Sequence, residues 1–185
     1  MAGRRKADLS AGEWTVLALV AERPTHGFAL AKDIGPDGEI GKVWTLPRPL
    51  VYRALDTLQA AELIAPMRTE SGRGPRRTVF AATRAGKRLV TAWLDRPVEH
   101  VRDARTLLLL KLLFLDRAGR DPGPLLRAQL AELRLLESAL RRRARSASGF
   151  EKTLAVWRLE STRAAIRTIR VALADSAPPL REPEL

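Results

Sequence analysis

Between Thr45 and Phe80 the chain carries a proline-led amphipathic stretch, a short β-prone segment, the turn Gly-Arg-Gly-Pro-Arg-Arg and a second β-prone segment. From residue 98 onward its patterning is helical only. These two observations, with a basic excess concentrated in the hairpin, predict a mainly α protein. It consists of an N-terminal winged helix-turn-helix (helices plus a two-stranded wing) followed by a helical dimerisation domain. The expected limits are 1–97 for the first domain, 98–175 for the second and 176–185 for a disordered tail with three prolines.

Residues 1–8 read as a mobile basic arm. Ser10, with Glu13 three positions on, is a capping-box start for a first helix, and Trp14, Leu17, Ala18 and Ala21 trace its apolar stripe. Pro24 stops that helix. His26-Gly27 marks a turn, and Phe28, Leu30, Ala31 and Ile34 indicate a short second helix ended by Gly35-Pro36-Asp37-Gly38. The third helix begins near Pro47 or Pro49, where a fixed φ and a missing N–H suit the first turn. Val51, Leu55 and Leu58 form its buried stripe, widened by Leu50 and Ala54. Its other face carries Arg48, Tyr52, Asp56 and Gln59, with Arg53 at the edge.

Leu63–Thr69 and Thr78–Ala82 are the expected wing strands, and Thr83 caps a fourth helix with apolar Leu89, Val90, Trp93 and Leu94. In the second half, 104–117 reads as a buried helix because it is apolar almost all round. After a turn at Gly119–Gly123, a long helix from Pro124 presents Leu126, Leu130, Leu133, Leu136 and Leu140. A final helix over Phe150–Asp175 shows two apolar faces. One holds Leu154, Trp157, Ala165, Ile169 and Ala172; the other holds Leu159, Ile166 and Leu173, about 120° away by helical geometry. With one face packed inside the protomer, a two-fold homodimer covers the other; the alternative is a single helical bundle that buries both faces within one chain, and three helices make a thin bundle. Leu154, Trp157, Leu159, Ile166, Ile169 and Leu173 are the candidate seam residues.

Composition narrows the function. The chain has 185 residues, a formal charge of +12, and arginine over lysine by 27 to 6. Residues 1–97 hold 16 Lys/Arg against 10 Asp/Glu, and the whole of that +6 excess lies within 68–88. So concentrated a charge favours a polyanionic partner, double-stranded DNA above all. There is no cysteine, which excludes disulfides, zinc fingers and thiol chemistry. The longest apolar run, 107–115, is interrupted by Lys111 and falls far short of the ~20 residues of a membrane span, so a cytoplasmic protein with no membrane partner is expected. The two histidines, His26 and His100, are far apart in sequence. They give no support to a metal site or catalytic dyad, and the glycine turn lacks a nucleotide cradle's spacing. Neither an enzyme nor a cofactor is expected.

In the DNA-binding reading, Arg48, Tyr52 and Arg53 lie in the first turns of the recognition helix, where backbone N–H groups also attract phosphate. Arg73, Arg76 and Arg77 in the wing contact backbone or minor groove. The alternative is a non-specific architectural or protein-interaction module. Trp14, Trp93 and Trp157 are expected in the core, and Trp44 is expected to cap it.

Taken in order, Leu9-Ser-Ala-Gly-Glu-Trp-Thr-Val-Leu-Ala-Leu-Val20, Pro24 with His26-Gly27-Phe28-Ala29-Leu30, Leu50-Val51-Tyr52-Arg53-Ala54-Leu55 with Leu58, Gly74-Pro75-Arg76-Arg77, and Thr83 with Gly86 resemble the PadR family of transcriptional regulators. The resemblance covers roughly residues 9 to 175. It implies a winged-helix N-terminal domain, a helical C-terminal dimerisation domain and repressor activity, often relieved by a small-molecule effector. Two recognition helices related by a two-fold axis would then read an inverted-repeat operator. Two positions depart from the family's pattern: Glu62 stands where glycine is usual, at the turn leaving the recognition helix, and Phe80 replaces a common tyrosine.

Overall fold

A computed structural model describes residues 9–70 and 76–175. The basic arm 1–8, the wing tip 71–75 with Arg73, and the tail 176–185 lie outside the described residues. The chain separates into two compact units, Met1–Leu94 with Leu109–Phe114, and Asp95–Leu108 with Leu115–Leu185.

The first unit is built around helix α1 (Ala11–Glu22). Its start is the expected capping box: Ser10 Oγ accepts the Glu13 N–H at 3.3 Å, and the Glu13 carboxylate accepts the Ser10 N–H at 2.6 Å. A single buried stripe was expected, yet every residue from Gly12 to Val20 is buried. The helix is enclosed by neighbours rather than laid on them. Strand β1 (Thr25–His26) is too short to show alternation in sequence and was not foreseen. The fold after it is helix α2 (Gly27–Asp33), a 3₁₀ turn at Ile40–Lys42, and helix α3 (Arg48–Ala60). Leu46 and the half-buried Trp44 close over Gly12 of α1.

In α3, Pro47 is the N-cap and Pro49 lies in the first turn. Val51, Ala54, Leu55 and Leu58 are buried as expected, whereas Leu50 is 40% exposed and does not widen the stripe. The exit from α3 is a Schellman closure. The Leu63 N–H donates to the Leu58 carbonyl at 2.9 Å, and the Glu62 N–H to the Gln59 carbonyl at 2.9 Å. Closing it requires a left-handed residue, and Glu62 takes that conformation with φ 58°.

Strands β2 (Ile64–Glu70) and β3 (Arg77–Ala82) form the wing, in an antiparallel sheet of order β1-β3-β2. The register shifts between Pro66 and Arg68, bulging the strand at Met67 where proline offers no N–H. Thr83 ties the wing's end to the exit from α3. Its hydroxyl donates to the Glu62 carbonyl at 2.9 Å and accepts the Gly86 N–H at 3.1 Å, capping helix α4 (Arg84–Leu94). Gly86 allows this approach, because a Cβ there would stand 2.1 Å from the Leu63 carbonyl oxygen. Trp93 of α4 stacks on Trp14 with ring centres 4.9 Å apart and planes 6° from parallel. Phe114 meets Trp93 edge-on at 6.4 Å, and the buried Lys111 ammonium lies 5.1 Å from the same ring centre.

In the second half the expected buried helix 104–117 lies within one helical run. It is α-helical at Val101–Asp103 (α5), π-helical at Ala104–Leu108 and α-helical at Leu109–Arg117 (α6). With apolar residues on nearly every face, the sequence carries no phase from which the wider turn could be read. Helices α7 (Gly123–Ser146) and α8 (Gly149–Asp175) are joined by two residues and pack as an antiparallel hairpin. Leu126, Gln129, Leu130, Leu133 and Leu140 of α7 are buried, as are Ala155, Leu159, Thr162, Ile166 and Ile169 of α8. Trp157, expected in the core, is 73% exposed. The fully buried Gln129 substitutes for a strand partner: its side chain accepts the Val98 N–H at 2.6 Å and donates to the Val98 carbonyl at 3.1 Å. Glu137 joins the two helices through Arg163 at 3.1 Å, and this guanidinium holds its carboxyl below the usual carboxylate value. A depressed folded value means the link contributes above the unfolded pKa and is lost as pH falls through the folded one.

Two outcomes test this account. Glu62→Gly should raise stability by about 1 kcal/mol, since glycine takes φ > 0 without the side-chain clash; an unchanged denaturant midpoint would show no strain there. Gln129→Leu should cost about 2 kcal/mol or more, because it leaves a buried N–H and C=O unpaired. Equilibrium unfolding measures both.

Candidate nucleic-acid interface

Three elements of the first unit meet beside the start of α3. Strand β1 pairs with β3 (Thr25 with Phe80, His26 with Val79), so the chain enters α2 directly off the central wing strand. His26, expected only as a turn residue, also caps α2: its Nδ1 accepts the Ala29 N–H at 3.1 Å. One residue on, Gly27 lies against Tyr52 of α3. A Cβ on Gly27 would come within 2.6 Å of Tyr52 Cε1 and 3.0 Å of Cζ, so only glycine admits the ring there without displacement. Tyr52 therefore packs on the second helix with one side and remains partly exposed on the other.

Phe28 follows and points outward, 44% exposed. Two guanidinium groups rest on its ring. The Arg77 carbon Cζ is 4.5 Å from the ring centre, and that of Arg48 is 5.5 Å away. Arg48 also lies 5.7 Å from the Tyr52 ring centre. One arginine comes from the wing and one is the first residue of α3. Arg53, Asp56 and Gln59 are exposed further along α3, and Arg76 is exposed where β3 begins. Arg73 lies outside the described residues. Arg68 of the wing is engaged by Glu70 at 2.8 Å.

The backbone of α3 offers less to an anion than expected. Pro47 and Pro49 have no N–H, and that of Leu50 donates to the Pro47 carbonyl at 2.9 Å. The N–H of Arg48 remains in the first turn, and side chains supply the rest of the positive charge at this helix start.

Phe28 was not among the expected contact residues, because it was grouped with Leu30 and Ile34 as a helix former. The available signal was angular: two helical residues span about 200°, so a ring at 28 opposes a buried leucine at 30.

The candidate seam residues divide. Leu159, Ile166 and Ile169 are buried within the unit, and Leu154 and Leu173 are half-buried. Of the six, Trp157 alone is exposed. It shares an outward row with Phe150, Ala164 and Val171 at intervals of seven residues, and Phe150 and Val171 are 77% and 62% exposed. Among the described residues there is no cluster of three metal-ligating side chains, and no helix is long and apolar enough to cross a membrane.

The chain has a single tyrosine, which makes the packing at Gly27 directly observable. Gly27→Ala should displace the Tyr52 ring and shift its NMR resonances. Resonances left unmoved would contradict the contact.

Residues 16–92 match the sequence model of the Transcriptional regulator PadR-like family. No curated protein matches the chain. Bacillus subtilis PadR in complex with operator DNA is similar at 20% identity, covering 91% of this chain and 99% of that one, with a TM-score of 0.45. The smu.1604c protein of Streptococcus mutans UA159 is similar at 13% identity, covering 88% and 98%, with a TM-score of 0.42. Bacillus subtilis PadR in complex with p-coumaric acid is similar at 18% identity, covering 90% and 95%, with a TM-score of 0.40.

Proposed function

Because residues 16–92 carry the domain of the PadR-like family of transcriptional regulators, we propose that this chain is a cytoplasmic, homodimeric, sequence-specific DNA-binding repressor without catalytic activity. The observation that carries the reading is the meeting of Arg48 and Arg77 on Phe28, which joins the recognition helix and the wing into one cationic surface. Beside it the outward side of α3 is unobstructed in its own unit, with Arg53, Asp56 and Gln59 exposed. That is the side a major groove would receive. Arg53 is assigned to a base edge, where arginine pairs naturally with guanine O6 and N7. Arg76 is assigned to the phosphate backbone, and Arg73 in the wing tip is given the same role from its position in the sequence. Repression and relief by a small-molecule effector are the parts of the reading taken from the family alone.

Dimerisation is assigned to α8. The row Phe150, Trp157, Ala164 and Val171 repeats every seven residues and is covered by nothing in its own unit. A heptad row of this kind is covered by a second helix bearing the same row, packed about a two-fold axis. Two copies of α3 related by that axis would read half-sites roughly one DNA turn apart.

Selection of bound duplexes from a random pool should return an inverted repeat; equal competition by random duplex would favour an architectural protein instead. Arg53→Ala should relax preference at one base position by about 1–3 kcal/mol. Arg76→Ala should weaken binding to all sequences and lower the salt slope by roughly 0.9 per chain. Trp157→Glu should halve the mass measured in solution, and a dimer that persists would place the seam elsewhere.

A further inference from the structure

Within the DNA-binding reading, on which this inference rests, the contact residues separate into two chemical roles. We propose that Phe28 is a positioning residue that holds Arg48 and Arg77 together on one backbone phosphate of the duplex, so that both arginines anchor the protein and neither reads sequence.

Like charges avoid each other, and here two guanidinium groups share one small exposed ring, their Cζ atoms within 5.5 Å of its centre. No carboxylate is paired with either among the described ion pairs; the wing's glutamate, Glu70, is taken by Arg68. An anion that accepts from both relieves the repulsion. A guanidinium lying near an aromatic face keeps N–H edges free to donate, and its fork matches the two unesterified oxygens of a phosphate diester. A base edge offers no such charge.

The backbone argues the same way. A helix N-terminus ordinarily attracts phosphate through its free N–H groups, but here Pro47 and Pro49 have none and that of Leu50 is occupied, which leaves that of Arg48 in the first turn. A phosphate at this helix start meets fewer backbone donors than usual, so side chains carry more of its binding. Arg48 is the first residue of the helix and Arg77 the first of β3. In this assignment both side chains turn to the shared ring and serve the backbone. Base reading then falls to Arg53 and its exposed neighbours Asp56 and Gln59, further along the helix.

Phe28 carries no charge, and this makes its role separable from that of the arginines. Without the ring each guanidinium is free to disperse, so counterion release should suffer although no cation has been removed. A residue with a merely structural role would not change the salt dependence.

The experiment uses the full-length chain with two probes, a duplex selected from the random pool and a mixed-sequence duplex, over a range of salt concentrations. Phe28→Leu should weaken binding to both probes alike, by about 10-fold, as expected for losing two exposed cation–π contacts. Its salt slope should fall by roughly 0.9 per chain, the value for one phosphate. Phe28→Tyr keeps the ring and should bind within about 2-fold of the wild type. Arg48→Ala and Arg77→Ala should each weaken both probes alike, and adding Phe28→Leu to Arg77→Ala should cost less than Phe28→Leu alone. Thermal unfolding of each variant, unchanged from the wild type, confirms that the fold is intact.

The inference is overturned if Phe28→Leu leaves affinity and salt slope unchanged, if Phe28→Tyr binds as poorly as Phe28→Leu, or if the double substitution is simply additive. It is also overturned if Arg48→Ala changes which sequence is preferred. A wild-type chain that binds neither duplex removes the DNA-binding reading and this inference together. A wild-type chain that binds while Phe28→Leu behaves identically removes the inference alone.

Discussion

The geometry of the first unit depends on a knot of hydrogen bonds where α3 passes into the wing. The Schellman closure turns the chain at Glu62, and the Thr83 hydroxyl grips the Glu62 carbonyl while accepting from Gly86. One side chain thus joins the end of α3, the end of the wing and the beginning of α4. The wing cannot swing relative to α3 without breaking it. Gly86 is what lets α4 come close enough, since a side chain there would strike the Leu63 carbonyl. The same turn carries the chain's clearest local strain, a glutamate held at φ 58°. Tertiary bonds impose a conformation that local preference resists.

Given that knot, the opposite end of α3 falls beside β3 as well. Strand β1 closes the loop by pairing α2's entry to the central wing strand, and Gly27 lets Tyr52 lie flat against it. Helix α3 and the wing are therefore fastened at both ends, covalently and by the turn at one, by the packing of Tyr52 at the other. Arg48 and Arg77 belong to elements far apart in sequence and arrive at one ring because of this double fastening. A rigid double attachment holds cationic groups at fixed spacing, which is what a regular array of phosphates demands.

The second unit follows a simpler rule. Two long helices with a two-residue connection bury one stripe each against the other, and Gln129 uses its full amide to hold Val98 in place of a strand partner. Ion pairs at both levels of the hairpin, Arg143 with Glu151 at 2.7 Å and Arg163 with Glu137 at 3.1 Å, agree with the antiparallel register. The stripe that α8 buries consumes three of the apolar side chains that a dimer seam would otherwise use. What remains outward is a narrower row, centred on Trp157 and seven residues apart.

The sequence by itself determined the order of the main helices and of the two wing strands, because capping boxes, prolines and helical periodicity are local signals. Ser10 with Glu13, the proline pair before α3, and Thr83 ahead of α4 each mark a boundary through bonds made within a few residues. The turn at Glu62 was marked only by the resemblance, in which glycine is usual there; its left-handed backbone is a finding of the structure. Tertiary structure alone decided which faces are inside. Periodicity gives the angles between side chains on a helix but not the direction of the neighbour, so Leu50, Phe28 and Trp157 each turned out to face solvent. It decided as well that Phe28 would gather two arginines, since that depends on a two-residue strand too short to leave a pattern. Bonds between near neighbours can be read along a chain. Contacts between residues some fifty apart exist only once the chain has closed on itself.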